Sequence, residues 1–176
     1  MESEEQGVGP HNWVSGETMT DVAGVKLGEI STTGDTVRCA VFVDGTKVGS
    51  ISFLKYYEPA VKVLDPYVAV WAGSSLCVID RAHGEMHCFD RGDETHDVHP
   101  FESMWIIEGE LNVDLFDPKV QKTVATYYHN EVITSSSVTN SFVHVNDFAG
   151  ATVTLDARHE LQVIGRDSTK SGARSH

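Results

Sequence analysis

Four times along the chain a β-type run ends in an aspartate, at Asp44, Asp80, Asp117 and Asp156, at intervals of 36, 37 and 39 residues. Three of these aspartates close a two-strand stretch with a tight connection: YVAVWAGSSLCVID, MWIIEGELNVDLFD and FVHVNDFAGATVTLD. Each of the four is followed by a further strand-like segment: DGTKVGSISF, DRAHGEMHCF, DPKVQKTVAT and DARHELQVIG. A fixed period with one three- or four-stranded meander per repeat is a strong constraint. One meander cannot cover both of its faces, so successive meanders must stack on one another. The aspartate has a local role as well, because its carboxylate accepts a backbone N–H two residues on and closes a turn between third and fourth strands.

The rest of the chain agrees with this reading. No window of 11 or more residues carries the i, i+3, i+4, i+7 apolar spacing of a helix, whereas short Val/Ile/Thr/aromatic runs recur between turn residues. The runs are 37–43, 48–54, 67–72, 75–79, 86–89, 104–107, 111–116, 123–128, 131–134, 142–145, 152–155 and 161–164. The expected class is all-β. Residues 1–12 and 167–176 lack any apolar period and read as mobile tails, acidic and polar respectively, around a single all-β domain over 13–166. Over residues 25–166 the pattern resembles β-propeller repeats, in the loose manner of WD40-like and quinoprotein-like blades, without the Gly-His and Trp-Asp signatures of WD40 repeats. The resemblance implies a small or partial propeller of about four antiparallel meanders, acting as a noncatalytic protein-interaction module. Four blades of this length are short for a closed ring, so a homo-oligomer that completes one is a possible arrangement.

Charge narrows the partners. The chain has 26 acidic against 13 basic residues, a net charge of −13, which repels phosphate backbones and anionic lipid. Neither nucleic acid nor a membrane surface is expected; a protein or peptide with a basic surface is. The first residues, Met1-Glu2-Ser3-Glu4-Glu5, are the reverse of a signal peptide's positive start. Cys39, Cys77 and Cys88 form no CxxC, so reduced thiols and a cytoplasmic setting are expected. Pairing about the centre of 80–85 nonetheless puts Cys77 opposite Cys88, with Cβ atoms about 4.5–5.5 Å apart and a bridge expected only under oxidation.

A second resemblance competes for residues 96–147. Glu102-Ser-Met-Trp-Ile-Ile-Glu-Gly109 is similar to the first motif of the cupins, with His96 and His99 before it, and SVTNSFVHVND is similar to the second. The chain departs from that pattern: His99 stands one residue closer to the glutamate, Ser135 and Ser137 replace the family's Pro and Gly, and Asn140 and His144 stand where histidine and asparagine are usual. The resemblance implies the alternative of a cupin double-stranded β-helix barrel binding a small ligand, a metal-dependent isomerase or dioxygenase with Fe, Mn, Ni or Zn. Its ligands would be His99 and Glu102, with His144 on the same strand face as Asn140 taking the missing place. Without that resemblance no cofactor is expected.

No GxSxG, Walker A, GxGxxG, HExxH or EF-hand pattern is present, and no catalytic residue is assigned. The candidates for partner binding are Trp71 and Trp105, at comparable places in successive repeats, and His96 and His99 in the polar segment RGDETHDVHP. Trp71 and Trp105 are core aromatics if their strand faces are covered and partner anchors if they lie on a rim.

Overall fold

A computed structural model describes residues 20–168, and the expected tail at 1–12 lies outside them. Sixteen strands follow in order: β1 Thr20–Val22, β2 Val25–Thr33, β3 Thr36–Val43, β4 Thr46–Leu54, β5 Ala60–Leu64, β6 Tyr67–Ala72, β7 Ser75–Asp80, β8 Glu85–Asp90, β9 Thr95–Phe101, β10 Met104–Gly109, β11 Asn112–Asp117, β12 Lys122–Tyr128, β13 Ile133–Thr139, β14 Phe142–Asp147, β15 Ala151–Asp156 and β16 Gln162–Ser168. They form four antiparallel four-stranded sheets, β1–β4, β5–β8, β9–β12 and β13–β16, each a meander of strands consecutive in sequence. Each sheet holds one of the four aspartates at its third strand. A cupin barrel needs strands paired across long crossovers. These sheets pair consecutive strands only, which overturns the barrel alternative.

The aspartates act as the spacing implies in three repeats. Asp80 Oδ1 accepts the Ala82 N–H at 2.9 Å, Asp117 Oδ1 that of Lys119 at 2.9 Å, and Asp156 Oδ1 that of Arg158 at 3.0 Å. The first repeat differs. Val43 pairs directly with Thr46, leaving Asp44-Gly45 as a two-residue loop with φ +48° and +82°, the left-handed pair that a type I′ hairpin demands.

The described residues divide after Cys88 into two compact units, 20–88 and 89–168. In unit 1, one face of the first sheet (Val25, Leu27, Val37, Cys39, Val41, Ile51, Phe53) packs on Val68, Val70, Ala72, Cys77 and Ile79 of the second. In unit 2, Ile106, Val113 and Leu115 pack on Ile133, Val143, Val145, Val153 and Leu155. Burying each such aliphatic side chain contributes about 1.5–3 kcal/mol. Strands β6, β7, β10 and β11 are covered on both faces; β6 and β7 read as nearly continuous apolar runs, β10 and β11 bury Glu108, Asn112 and Asp114 among their apolar residues, and β14 alternates.

Four strands had no clear run in the sequence: β1, β2, β5 and β9. β2 contains Gly28 and a register shift with Glu29 at φ +50°, so its alternation breaks midway. β9, THDVHPF, is polar and holds Pro100, but it is the edge of its sheet, where a missing N–H costs no ladder bond. At the other end β16 runs through Ser168, past the boundary expected at Arg166.

Cys77 and Cys88 pair across the β7–β8 hairpin as its symmetry requires, but they are bonded as a disulfide, with Cα atoms 4.0 Å apart. The expectation of two reduced thiols is corrected here, and with it goes the cysteine-based ground for a cytoplasmic setting. Cys39 stays a thiol, and burial pushes its pKa up to about 11. Among the described residues no helix is long and apolar enough to cross a membrane.

Candidate functional site

Two features of unit 2 lie along one end of its sheets. The first is a carboxylate cluster. The β9–β10 ladder shifts register between Glu108 and Gly109, which pair with Asp97 and Thr95, so His96 is left as the extra residue of a bulge. Glu108, 5% exposed, accepts a hydrogen bond from the Ser136 hydroxyl of β13. His99 Nε2 lies 3.3 Å from Ser136 Oγ and 3.7 Å from Glu108, and His96 Nδ1 is 3.8 Å from the other Glu108 oxygen. Burial pushes the Glu108 carboxyl up, but hydrogen bonds from His99 and Ser136 together outweigh it and hold the group below its ordinary value. A serine relay would need Ser136 to give its proton to the imidazole and the carboxylate to sit on the far ring nitrogen. Here Ser136 donates to Glu108, and Glu108 faces the same nitrogen that Ser136 does. The cluster ties β9 and β10 to β13, and its geometry is not that of a serine relay.

The second feature is a rim of three short connections tied edge to edge by backbone bonds. The His129 N–H donates to the Leu111 carbonyl at 2.8 Å, Ile133 to Glu110 at 2.8 Å and Phe148 to Val132 at 2.9 Å. Asp93 caps the first connection, accepting the N–H groups of Glu94 at 3.0 Å and Leu111 at 3.1 Å. Gly109 is required beside it, because a Cβ there would stand 2.3 Å from an Asp93 oxygen. Beneath the rim, His129 Nε2 meets Asp147 at 2.9 Å, and Tyr127 Oη meets His129 Nδ1 at 2.9 Å. The Asp147 carboxyl is held below its ordinary range by the His129 hydrogen bond first, and by the Ala151 N–H. Burial raises the Tyr127 phenol. Arg91, almost fully buried, anchors the base of the same end by bonding Asp114 at 2.6 Å, Asn112 at 2.7 Å and Thr95 at 2.9 Å.

What this rigid frame exposes is apolar. Leu111 is 44% exposed, Val132 41% and Phe148 82%; Glu110 and Glu131 precede the first two in the same connections, and Glu94 of the β8–β9 connection is tied to Glu110 by a backbone bond of 3.1 Å. A cavity of about 480 Å³ opens between His129, Glu131, Asp147 and Arg166. The rim offers no nucleophile with a base. Its surface is that of an apolar contact ringed by anions.

The sequence-derived candidates divide. His96 and His99 come together, joined by Glu108 and Ser136, which the sequence reading missed; an acid inside the apolar run MWIIEG was the available signal. Trp71 is 6% exposed and Trp105 2%, the latter stacked on Phe116 at 5.9 Å. Both strands are covered on both faces, so neither ring is open to anchor a partner. Glu102 sits in the β9–β10 turn at φ +54° and pairs with Arg158 at 3.0 Å. His144 bonds Thr154 at 3.2 Å on one face of its sheet, while His99 contacts Ser136 on the other, so His99, Glu102 and His144 do not converge. Asn140 occupies a turn at φ +56°. Among the described residues no three His, Cys, Asp or Glu side chains are placed to hold a metal ion.

No family model and no curated protein matches the chain. Solved structures do. BamB from Moraxella catarrhalis matches 87% of this chain and 48% of its own at 15% identity, with a TM-score of 0.60. The computationally designed Ika8 protein matches 81% and 49% at 11% identity, with a TM-score of 0.58. The N-terminal domain of Nup159 matches 89% and 45% at 13% identity, with a TM-score of 0.53. The chain thus spans about half the length of each, and at these identities the likeness is one of fold. That fold is β-propeller-like, with one four-stranded antiparallel sheet for each repeat of the sequence.

Proposed function

We propose that the protein is a noncatalytic binding module whose contact surface is the rim of Leu111, Val132 and Phe148, and whose partner is a basic protein segment with an apolar side chain. The observation that carries the reading is Phe148, 82% exposed on a turn whose backbone is tied to Val132 and whose preceding residue, Asp147, is held by His129. An aromatic ring held on rigid backbone offers contact area at little entropic cost. The flanking Glu94, Glu110 and Glu131, in a chain of net charge −13, favour a cationic partner and steer its approach. Two of the structural matches come from assemblies of proteins, the mitotic checkpoint complex and Dbp5 bound to Nup159 and Gle1, which supports a protein partner.

The test is selection from a random peptide display library on the immobilised protein. Enrichment of peptides pairing Lys or Arg with a large apolar residue is expected, with binding lost in Phe148→Ser and weakened by Glu110→Lys. Enrichment of acidic peptides, or binding indifferent to both variants, overturns the reading.

A further inference from the structure

Among the described residues, the first sheet and the last each direct one face away from the core of their own unit, and the two faces differ in charge. In the first sheet, Arg38, Ala40 and Phe42 alternate away from the core residues Cys39 and Val41. Register places Lys26 and Lys47 beside Phe42, Ser50 beside Ala40, and Ser52 beside Arg38. Lys26, Arg38 and Lys47 are exposed, so one sheet face gathers 3 of the chain's 13 basic residues; Asp21 stands opposite Lys26, and Lys47 is paired with Glu29 and lies 5.9 Å from the Phe42 ring centre, which leaves the face a net positive charge carried by Arg38. In the last sheet, Phe142, His144 and Asn146 alternate away from Val143 and Val145. Their partners on that face are serines and threonines, with Asp156 beside Phe142 and Asp167 beside Thr152. It carries no lysine or arginine.

These faces are sheets of the same kind as those stacked inside each unit, they are opposite in sign, and each has a phenylalanine. We infer that they are the two halves of one self-association contact, in which the basic face of β2–β4 in one copy packs on the polar, acidic face of β13–β15 in a second copy. Such a contact is heterologous, since different surfaces meet, and it is specified by charge and by the two aromatic rings more than by apolar area. It involves neither Phe148 nor the acidic rim, so it stands or falls apart from the binding reading above.

Sedimentation velocity of the full-length protein at about 0.05 M and about 0.5 M salt decides it. Association at low salt, weakened by high salt, is expected. Lys26→Glu/Lys47→Glu should abolish it, as should Ser137→Arg/Thr139→Arg, while both variants keep the wild-type circular dichroism spectrum. Mixing the two variants should restore an associated species, because the two reversed faces suit each other and the two unaltered faces form the wild-type contact. Phe148→Ser should change nothing. A wild-type chain that stays monomeric at low salt overturns the inference and leaves the polar end faces as solubility caps. Association that survives both reversals, or is not restored by mixing, overturns it equally.

Discussion

At the scale of single residues, the molecule is governed by what each carboxylate meets. Asp147 and Glu108 both lie inside unit 2 and both bond a histidine, and both are held below their ordinary pKa. A carboxyl depressed in the folded state adds stability above its unfolded pKa, and that stability is lost as pH falls through the folded value. Both groups should therefore give an acid limb to the stability profile below about pH 4.5, the usual range of unfolded carboxylates. Asp147→Asn should flatten that limb in urea unfolding measured between pH 3 and pH 7, about the span over which carboxylates titrate. An unchanged limb would show that the His129 contact carries no charge in solution. Glu108→Ala should lower stability by about 1–3 kcal/mol at pH 7, since it removes the acceptor of the Ser136 hydroxyl and leaves His96 and His99 only Glu94 and Asp97 as carboxylate neighbours, whereas Glu108→Gln keeps an acceptor and should lose less. Residue identity made none of this visible in advance. His129 and Asp147 are far apart in sequence, and Glu108 became meaningful only when β13 delivered Ser136 to it.

At the scale of elements, the turn chemistry was the most legible part of the chain. An aspartate at the end of a strand specifies its turn with residues only two or three apart, and three of the four repeats use it as written. Asp117→Ala should cost about 1 kcal/mol, the typical loss of one turn hydrogen bond, read from the chemical-denaturation midpoint. Asp44 repeats the residue without the role, because the glycine that follows it selects a two-residue turn instead. The β7–β8 hairpin carries its own constraint. Its disulfide spans a sequence separation of 11, and in the chain-entropy account closing so short a loop is worth about 2–3 kcal/mol. Reduction should lower the denaturation midpoint accordingly, and Cys77→Ser should reproduce the loss without reductant. A variant as stable as the wild type would show the bond to be absent in solution. Edge strands were the least legible elements: β9 hides behind charge and Pro100, and β5 is only five residues long.

At the scale of the whole molecule, net charge and repetition dominate. With 26 acidic and 13 basic residues, folding brings like charges together, and screening them should help. Moderate salt, about 0.2 M, should raise the thermal unfolding midpoint relative to low salt. A fall would mean that ion pairs such as Arg91–Asp114 and Arg81–Asp44 outweigh the general repulsion. The sequence by itself determined the number of sheets, their meander order and the turn between third and fourth strands. Each of these is specified by residues close along the chain, where apolar period and turn chemistry act directly. Only the tertiary structure decided which faces are covered. Trp71 and Trp105 are buried because both sides of β6 and β10 are occupied, a fact that no local period encodes. It decided the candidate surface for the same reason: Leu111, Val132 and Phe148 are ordinary loop residues until backbone hydrogen bonds join their connections, the Ile133–Glu110 bond linking one repeat to the next.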